Sequence, residues 1–308
     1  MADLQVVGLG LSTIDVLARL EVMPTWEKGT SLKQIGTDGG GPVGTALVAA
    51  ARLGARVGYL GVCGNDESAE LKLHYLTRDG VDISRVKRRP HPESQVVLVF
   101  VHQSTGERVF GLTPMEEDPL QPDELDRDYI ISAAYLHLDG YHSQAALTAA
   151  RWMRQAGKKV VMDAAKAAGD VWKAIDELVE ATDVLICGSG FVQAFTGVAD
   201  FGKAAEAVRR IGPQIVVQTE GEEGSNTVTA TGQFHTPAFK VDVVDTTGAG
   251  DVFHGAYLFG LVQGWDLPRI ARFASATAAL KCMHLGGRVG APRYNEVLEF
   301  LDRQGTHL

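Results

Sequence analysis

Short, mostly apolar runs recur along the chain, each followed by a longer stretch of helical periodicity. Residues 5–11 read as a first strand. Residues 43–53 read as a helix, with Pro42 near its start and Gly54 closing it. A second strand is predicted over 57–62 and a second helix over 67–78, ending at Gly80. The rhythm then changes. Two β-rich runs, 95–101 and 107–110, flank Ser104-Thr105-Gly106-Glu107, a hairpin signal. Residues 18–33 are also irregular and partly β-like. These pieces do not fit a βα repeat, so they are predicted to form a small sheet projecting from the main body. From Asp123 the alternation resumes, with strands near 135–138, 159–163, 183–187 and 214–219 and helices near 143–156, 171–180 and 201–211. A hairpin (225–229, then 233–236) and helices near 249–263, 266–284 and 294–303 follow. Repeated βα units mean a mainly parallel sheet covered on both faces, with ligands at the carboxyl ends of its strands.

The segment VDVVDTTGAGDVFHGAYLFGL (241–261) carries candidate chemistry. A strand-like run enters a turn with almost no side-chain bulk, Gly248-Ala249-Gly250, and a helix starts inside the motif. Backbone N–H groups at a helix start are unpaired and lie at the positive end of the macrodipole, which makes an anion site. A phosphoryl group in flight carries charge on its oxygens and suits such a site. Asp251 sits at its edge, where the helix end is expected to hold the carboxylate ionised, ready to take a proton from an attacking hydroxyl. For a lone Gly-x-Gly-Asp, plain helix capping by Asp is the competing account. The run is not a Walker A loop, because no Gly-Lys-Ser/Thr follows the glycines.

Composition and charge narrow the partners. A net charge of −9 argues against nucleic acid, and the short basic cluster Arg85, Lys87, Arg88, Arg89 reads as a solvated surface. Cys63, Cys187 and Cys282 have no metal-ligand spacing and their odd number is a poor disulfide framework, so free thiols in a reducing cytoplasm are expected. No apolar run reaches the ~18 residues of a membrane helix, and MADLQVVGLG lacks a signal peptide's basic start, so a cytoplasmic protein is expected. No zinc spacing and no Gly-x-Ser-x-Gly elbow occur, and VGLGLSTID lacks the dinucleotide turn. His137, His142 and His254 are candidates for neighbours of the site, with a structural role the plainer account of His254.

The run Asp245-Thr246-Thr247-Gly248-Ala249-Gly250-Asp251, together with Gly39-Gly40-Gly41 through Ala51-Arg52-Leu53-Gly54, resembles the signatures of the ribokinase-like (PfkB) carbohydrate kinases. The resemblance covers nearly the whole chain. It implies one α/β domain over 1–308, three-layered and Rossmann-like, with a β-sheet lid formed by about 15–38 and 91–113. It implies ATP-dependent phosphorylation, with Mg2+, of a small-molecule sugar at a hydroxyl, expected to be primary. Asp251 would be the base and Gly248, Ala249 and Gly250 the anion hole. Asp15, Gly40, Gly41, Thr45 and Tyr141 would line the sugar site. Thr219, Gly221, Gly224, Thr246, Ala274 and Ala278 would border the nucleotide. Asp245, the Thr247 carbonyl and the 286–290 loop resemble the family's monovalent-cation site, which would take K+. The lid often pairs with a second lid, which implies a homodimer. Gly64-Asn65-Asp66 resembles a family turn read as structural.

The chain also departs from the pattern. Gly188-Ser189-Gly190-Phe191 stands where the family has Asn-x-x-Glu, Thr45 where it has Asn, and Asp163-Ala164-Ala165-Lys166-Ala167 where it has Asp-x-Asn-x-Arg. The C-terminal stretch is most similar to the sulfofructose kinase branch, but Gly29, Leu112 and Tyr141 replace that branch's sulfonate-binding residues. Two other functions stay open: a nucleoside kinase of the same fold, which wants aromatic residues in the lid, and a non-catalytic sensor that binds nucleotide or sugar without turnover.

Overall fold

The computed structural model describes residues 4–113, 118–164 and 175–306. Its strands, in chain order, are β1 (Val6–Leu9), β2 (Thr13–Leu20), β3 (Leu32–Gly40), β4 (Val57–Leu60), β5 (Val62–Cys63), β6 (Lys87–Arg88), β7 (Val96–His102), β8 (Arg108–Leu112), β9 (Tyr135–Leu138), β10 (Lys159–Ala164), β11 (Val184–Gly188), β12 (Ile215–Thr219), β13 (Ser225–Thr229) and β14 (Gly232–Thr236). The α-helices are α1 (Pro42–Leu53), α2 (Glu67–Thr77), α3 (Arg127–Ser132), α4 (Ser143–Gln155), α5 (Ile175–Glu180), α6 (Phe191–Thr196), α7 (Phe201–Arg209), α8 (Ala249–Val262), α9 (Leu267–Cys282) and α10 (Tyr294–Arg303).

An eight-stranded sheet in the order β14-β13-β12-β11-β10-β9-β1-β4 is parallel from β12 to β4, and the late hairpin β13–β14 adds an antiparallel edge. Successive side chains on a strand point to opposite faces. Here that alternation feeds two cores. Val7, Leu136, Met162 and Leu185 pack under α4 and α7, while Val6, Val161, Ile186 and Val217 pack under α1, α8 and α9. Each such fully buried Val or Leu contributes roughly 1.5–3 kcal/mol. The layering is the expected helix–sheet–helix α/β sandwich.

Aspartates set where several helices begin. Asp66, Asp126, Asp200 and Asp266 accept from the third N–H of α2, α3, α7 and α9, at 2.9–3.1 Å. Such a cap is worth about 1 kcal/mol. Asp66 is thus the structural residue expected of the Gly64-Asn65-Asp66 turn.

A second sheet, β3-β2-β7-β8, stands over the carboxyl ends of the first. Its register fixes two faces. Leu17, Val97, Val99 and Val101 are buried and pack with Leu285 on the inner face. Phe110 and Leu112, opposite Val99 and Val97, share that inner face but stay exposed. On the outer face, Ile35, Ala18, Phe100 and Val109 form one cross-strand row. The root of this sheet is tied to α2 by the fully buried Lys72. Its ammonium donates to the Val62 carbonyl (2.8 Å) and Gln95 Oε1 (2.7 Å) and pairs with Glu93 at 2.8 Å.

The differences from the sequence reading are local. The strand expected over 5–11 ends at Leu9, and beyond it the Leu11 N–H donates to Asp139 Oδ2 at 2.8 Å instead of to a neighbouring strand. The strand expected over 57–62 stops at Leu60, and Val62–Cys63 pairs separately with β6. The six-residue α3 and α6 were not expected, being too short to display a helical period. The basic cluster is not a free surface: Arg85 pairs with Asp126, Arg88 with Glu70, and the buried Arg89 with Glu124. All three cysteines are free. Lys166 and the start of the helix expected near 171–180 lie outside the described residues. Among the described residues, no helix is long and apolar enough to cross a membrane.

Removing one partner of a buried ion pair strands the other charge. Lys72→Met is expected to cost about 3 kcal/mol, read as a lower urea midpoint at unchanged slope.

Candidate active site

Several chain turns converge where the second sheet overhangs the first. The glycine turn before α8 makes the floor. Gly248 is the N-cap residue with φ +73°, a left-handed conformation, and a Cβ there would come within 2.9 Å of the Gly287 Cα. Only glycine fits both requirements. Ala249 turns its N–H toward the Thr246 carbonyl (3.2 Å), so it is not a free donor as expected. The open helix start is left to Gly250 and Asp251, and nothing lies within 4 Å of the space a Gly250 Cβ would take.

Asp251, in the first turn of α8, is partly exposed. Burial raises its pKa to about 6, Asp163 adds to that, and the charges of His254 and Arg108 oppose it. The sequence reading expected the helix end to dominate and keep the carboxylate ionised. Desolvation and the Asp163 charge outweigh it. His254, one turn further along α8, is buried with Nδ1 3.2 Å from Asp163 Oδ2. Burial works against its charged form, but Asp163 and then Asp251 override this, and its pKa is raised. His137 on β9 sits edge-on to His254, ring centroids 5.7 Å apart. Burial and then the His254 charge push its pKa down to about 3. His137 therefore stays neutral inside the sheet and does not line the cleft.

The Asp15 carboxylate is buried on β2, where it accepts from Thr13 Oγ1 at 2.6 Å. Burial raises its pKa to about 6 against that hydrogen bond and the Arg288 charge. The Asp15 charge also reaches Asp251 and acts in the same direction as burial. A side chain at Gly40 would collide with the Asp15 carboxylate, and Gly41 caps α1 with φ +83°. Thr45 is buried and accepts from Arg288 Nε at 3.3 Å. Tyr141, just past β9, is half-buried and its N–H donates to Asp139 Oδ1 at 3.0 Å. Burial raises the Asp139 pKa to about 7.

The nucleotide candidates divide. Thr219 closes β12, its hydroxyl 3.3 Å from the Cys187 carbonyl, and Gly221 is exposed with open space beside it. Gly224 is buried against the Thr236 and Pro237 backbone, so its glycine serves the hairpin. Ala274 is buried in the core, and Ala278 is half-buried on the same helix. Thr246 faces the second sheet: its hydroxyl accepts from Arg108 (2.8 Å) and lies 3.2 Å from the Gly106 carbonyl.

Asp245 is buried and anchors the turn. Oδ1 accepts from the Thr247 N–H and Oδ2 from the Gly286 N–H, each at 2.8 Å, and its carbonyl accepts from Lys281 Nζ at 2.8 Å. Burial lowers the Lys281 pKa, with Asp245 opposing. Thr247 is buried too, its Oγ1 without a hydrogen-bond partner. Arg288 is wholly buried between Asp38, Ser12, Thr45 and the Gly40 carbonyl. Sequence reasoning missed Arg108, Lys281 and Arg288. The signal for Lys281 was a lone cation in the otherwise uncharged end of an apolar helix. Arg108 was visible only as a charge beside a hairpin turn.

The pfkB family carbohydrate kinase profile matches residues 3–293. The chain belongs to that family. It is thus a carbohydrate kinase with the expected ribokinase-like fold. An ATP-dependent ribose-1-phosphate kinase of Halopiger xanaduensis is 28% identical over 97% of this chain and 99% of its own length. An aminoimidazole riboside kinase of Salmonella typhimurium is 29% identical over 85% of this chain and 87% of its own. An E. coli protein described as a candidate ribokinase II, solved in complex with ATP and Mg2+, superposes with a TM-score of 0.85 at 23% identity, covering 97% of this kinase and 99% of that chain.

Gly248→Ala combines a disfavoured backbone with a backbone clash. In this pfkB kinase it is expected to cost about 1–3 kcal/mol, read as a lowered thermal midpoint, with phosphoryl transfer reduced in parallel.

Proposed function

We propose that this kinase transfers the γ-phosphoryl group of ATP to a hydroxyl, a primary one, of a sugar or sugar derivative, with Asp251 as general base. The observation that carries the reading is Asp251 at the open start of α8, near enough to Asp15 for that carboxylate's charge to act on it. Asp15 and the Gly40–Gly41 backbone hold the sugar's hydroxyls. The acceptor hydroxyl gives its proton to Asp251 as its oxygen bonds to phosphorus and the bond to the ADP oxygen breaks. The Gly250 and Asp251 N–H groups stabilise the charge on the moving phosphoryl oxygens. Arg108 reaches in from the second sheet, read here as a lid, and adds positive charge at the same turn. Thr219 and Gly221 flank the nucleotide.

Among the described residues, no group of three or more His, Cys, Asp or Glu is placed to hold a metal. In this reading Mg2+ comes with the phosphates of ATP, as it commonly does at kinase sites. The E. coli protein's ATP and Mg2+ complex supports that pairing.

A second reading has one observation in its favour. Phe110 is exposed on the lid's inner face, where a base could stack. The likeness to an aminoimidazole riboside kinase fits a riboside as acceptor. A screen of ATP consumption over pentoses, hexoses, sugar phosphates, sugar acids, sulfosugars and ribosides separates the two. Binding of these without turnover, seen as thermal stabilisation, would instead favour a sensor.

The lid's outer row, with Ile35 67% and Val109 52% exposed, supports pairing of two lids in a homodimer. Val109→Glu is expected to convert the dimer to monomer in sedimentation; a wild-type monomer at micromolar concentration would remove this part of the reading.

Asp251→Asn is expected to lower kcat by about a hundredfold or more while ATP binding by calorimetry persists. In the wild type, kcat/KM should rise with pH through about 6, as Asp251 loses its proton. Near-normal turnover of Asp251→Asn, or a flat profile across that range, would overturn the assignment.

A further inference from the structure

The family resemblance implied a monovalent cation beside Asp245 and the Thr247 carbonyl, and the buried Lys281 ammonium found on the Asp245 carbonyl does not fit one. Asp245 meets its surroundings through three oxygens, and each is engaged. Oδ1 and Oδ2 take the N–H groups of Thr247 and Gly286, and the main-chain carbonyl takes Lys281 Nζ at 2.8 Å. Lys281 comes from the last turn of α9 and is fully buried, as is Asp245. A buried ammonium is kept only where an opposite charge and hydrogen-bond acceptors offset its desolvation. The Asp245 carboxylate and carbonyl supply both.

The location matters as much as the pairing. Asp245 is three residues before Gly248, the N-cap of α8, and its Oδ2 bonds to Gly286, next to the Gly287 backbone that crowds Gly248. The ammonium here holds the Asp245 main chain by its carbonyl, feels the carboxylate's charge, and so braces the turn whose N–H groups would face the phosphoryl oxygens. A free cation would do the same by coordinating backbone carbonyls. Among the buried side-chain oxygens here Thr247 Oγ1 lacks a partner, and a cation placed on it and on neighbouring carbonyls would be repelled by the buried Lys281 ammonium bonded to the Asp245 carbonyl.

We infer that the Lys281 ammonium stands in for the monovalent cation, so that phosphoryl transfer by this chain does not depend on K+. The inference rests on the kinase reading above, but one arm of its test does not need turnover. Wild type and Lys281→Met are compared at equal ionic strength in potassium chloride and in tetramethylammonium chloride, whose cation is too large to be coordinated. The first readout is turnover with an accepted sugar. Wild type is expected to work equally in both salts. Lys281→Met is expected to lose about tenfold or more in tetramethylammonium and to regain activity with K+ or ammonium. The second readout is the thermal midpoint: K+ selectively stabilises Lys281→Met and not wild type. A wild type that needs K+ for turnover, or that K+ selectively stabilises, overturns the inference. If no sugar is phosphorylated in either salt, the kinase reading fails and the melting comparison decides alone. If Lys281→Met does not fold, the wild-type comparison decides.

Discussion

The site depends on how one buried aspartate is held. Asp245 receives hydrogen bonds from the turn it belongs to, from the loop after α9 and from a buried lysine on α9 itself. These contacts join the loop after α9, residues 286–290, to the start of α8. They make the left-handed turn at Gly248 a fixed feature, because Gly287 closes over it. An anion cradle made of backbone N–H groups has no side chains to adjust, so its geometry is only as good as the turn behind it. In the proposed reading, Asp245 acts on the site through that turn.

Beneath the proposed base lies a second buried polar group, Asp163 with His254, and His137 stacked edge-on against it. The sheet interior desolvates all of them. Three outcomes follow from position alone: His137 is neutral, His254 is favoured in its charged form, and the Asp251 pKa rises to about 6. A base with a pKa near the working pH is a better proton acceptor than a strongly acidic carboxylate. The lid contributes from the other side. Arg108 reaches Thr246 and its charge acts on Asp251, while the Arg288 guanidinium donates to the Gly40 carbonyl and its charge acts on Asp15.

Much of this was legible from the chain. The α/β alternation gave the central strands to within a residue or two, because a parallel strand buried on both faces is an uninterrupted apolar run, as at Val184–Gly188. The late hairpin and the lid runs were visible because the period changed. The Asp251 motif was legible because its chemistry is local: strand, glycine turn and helix start lie within one stretch. Gly224 and Ala274 were not readable in the same way. Each lies in a plausible motif, but what each faces, the Thr236 backbone in one case and the core in the other, is set by a distant element. Arg89 looked like a solvated charge and is instead paired with Glu124, a residue remote in sequence.

The sequence by itself determined the fold class, the family and the place of the strand–glycine turn–helix stretch on which the proposed phosphoryl-transfer site rests. These follow from periodicity, turn chemistry and a contiguous motif, all of which act over short spans of chain. Only the tertiary structure decided which charges meet. Lys281 meets Asp245 from 36 residues away, Arg108 meets Thr246 from 138, and Arg288 meets Ser12 from 276. Electrostatic partners are selected by proximity in the folded chain and by loss of water around them, and neither quantity exists until the sheet, its helices and the lid are in place.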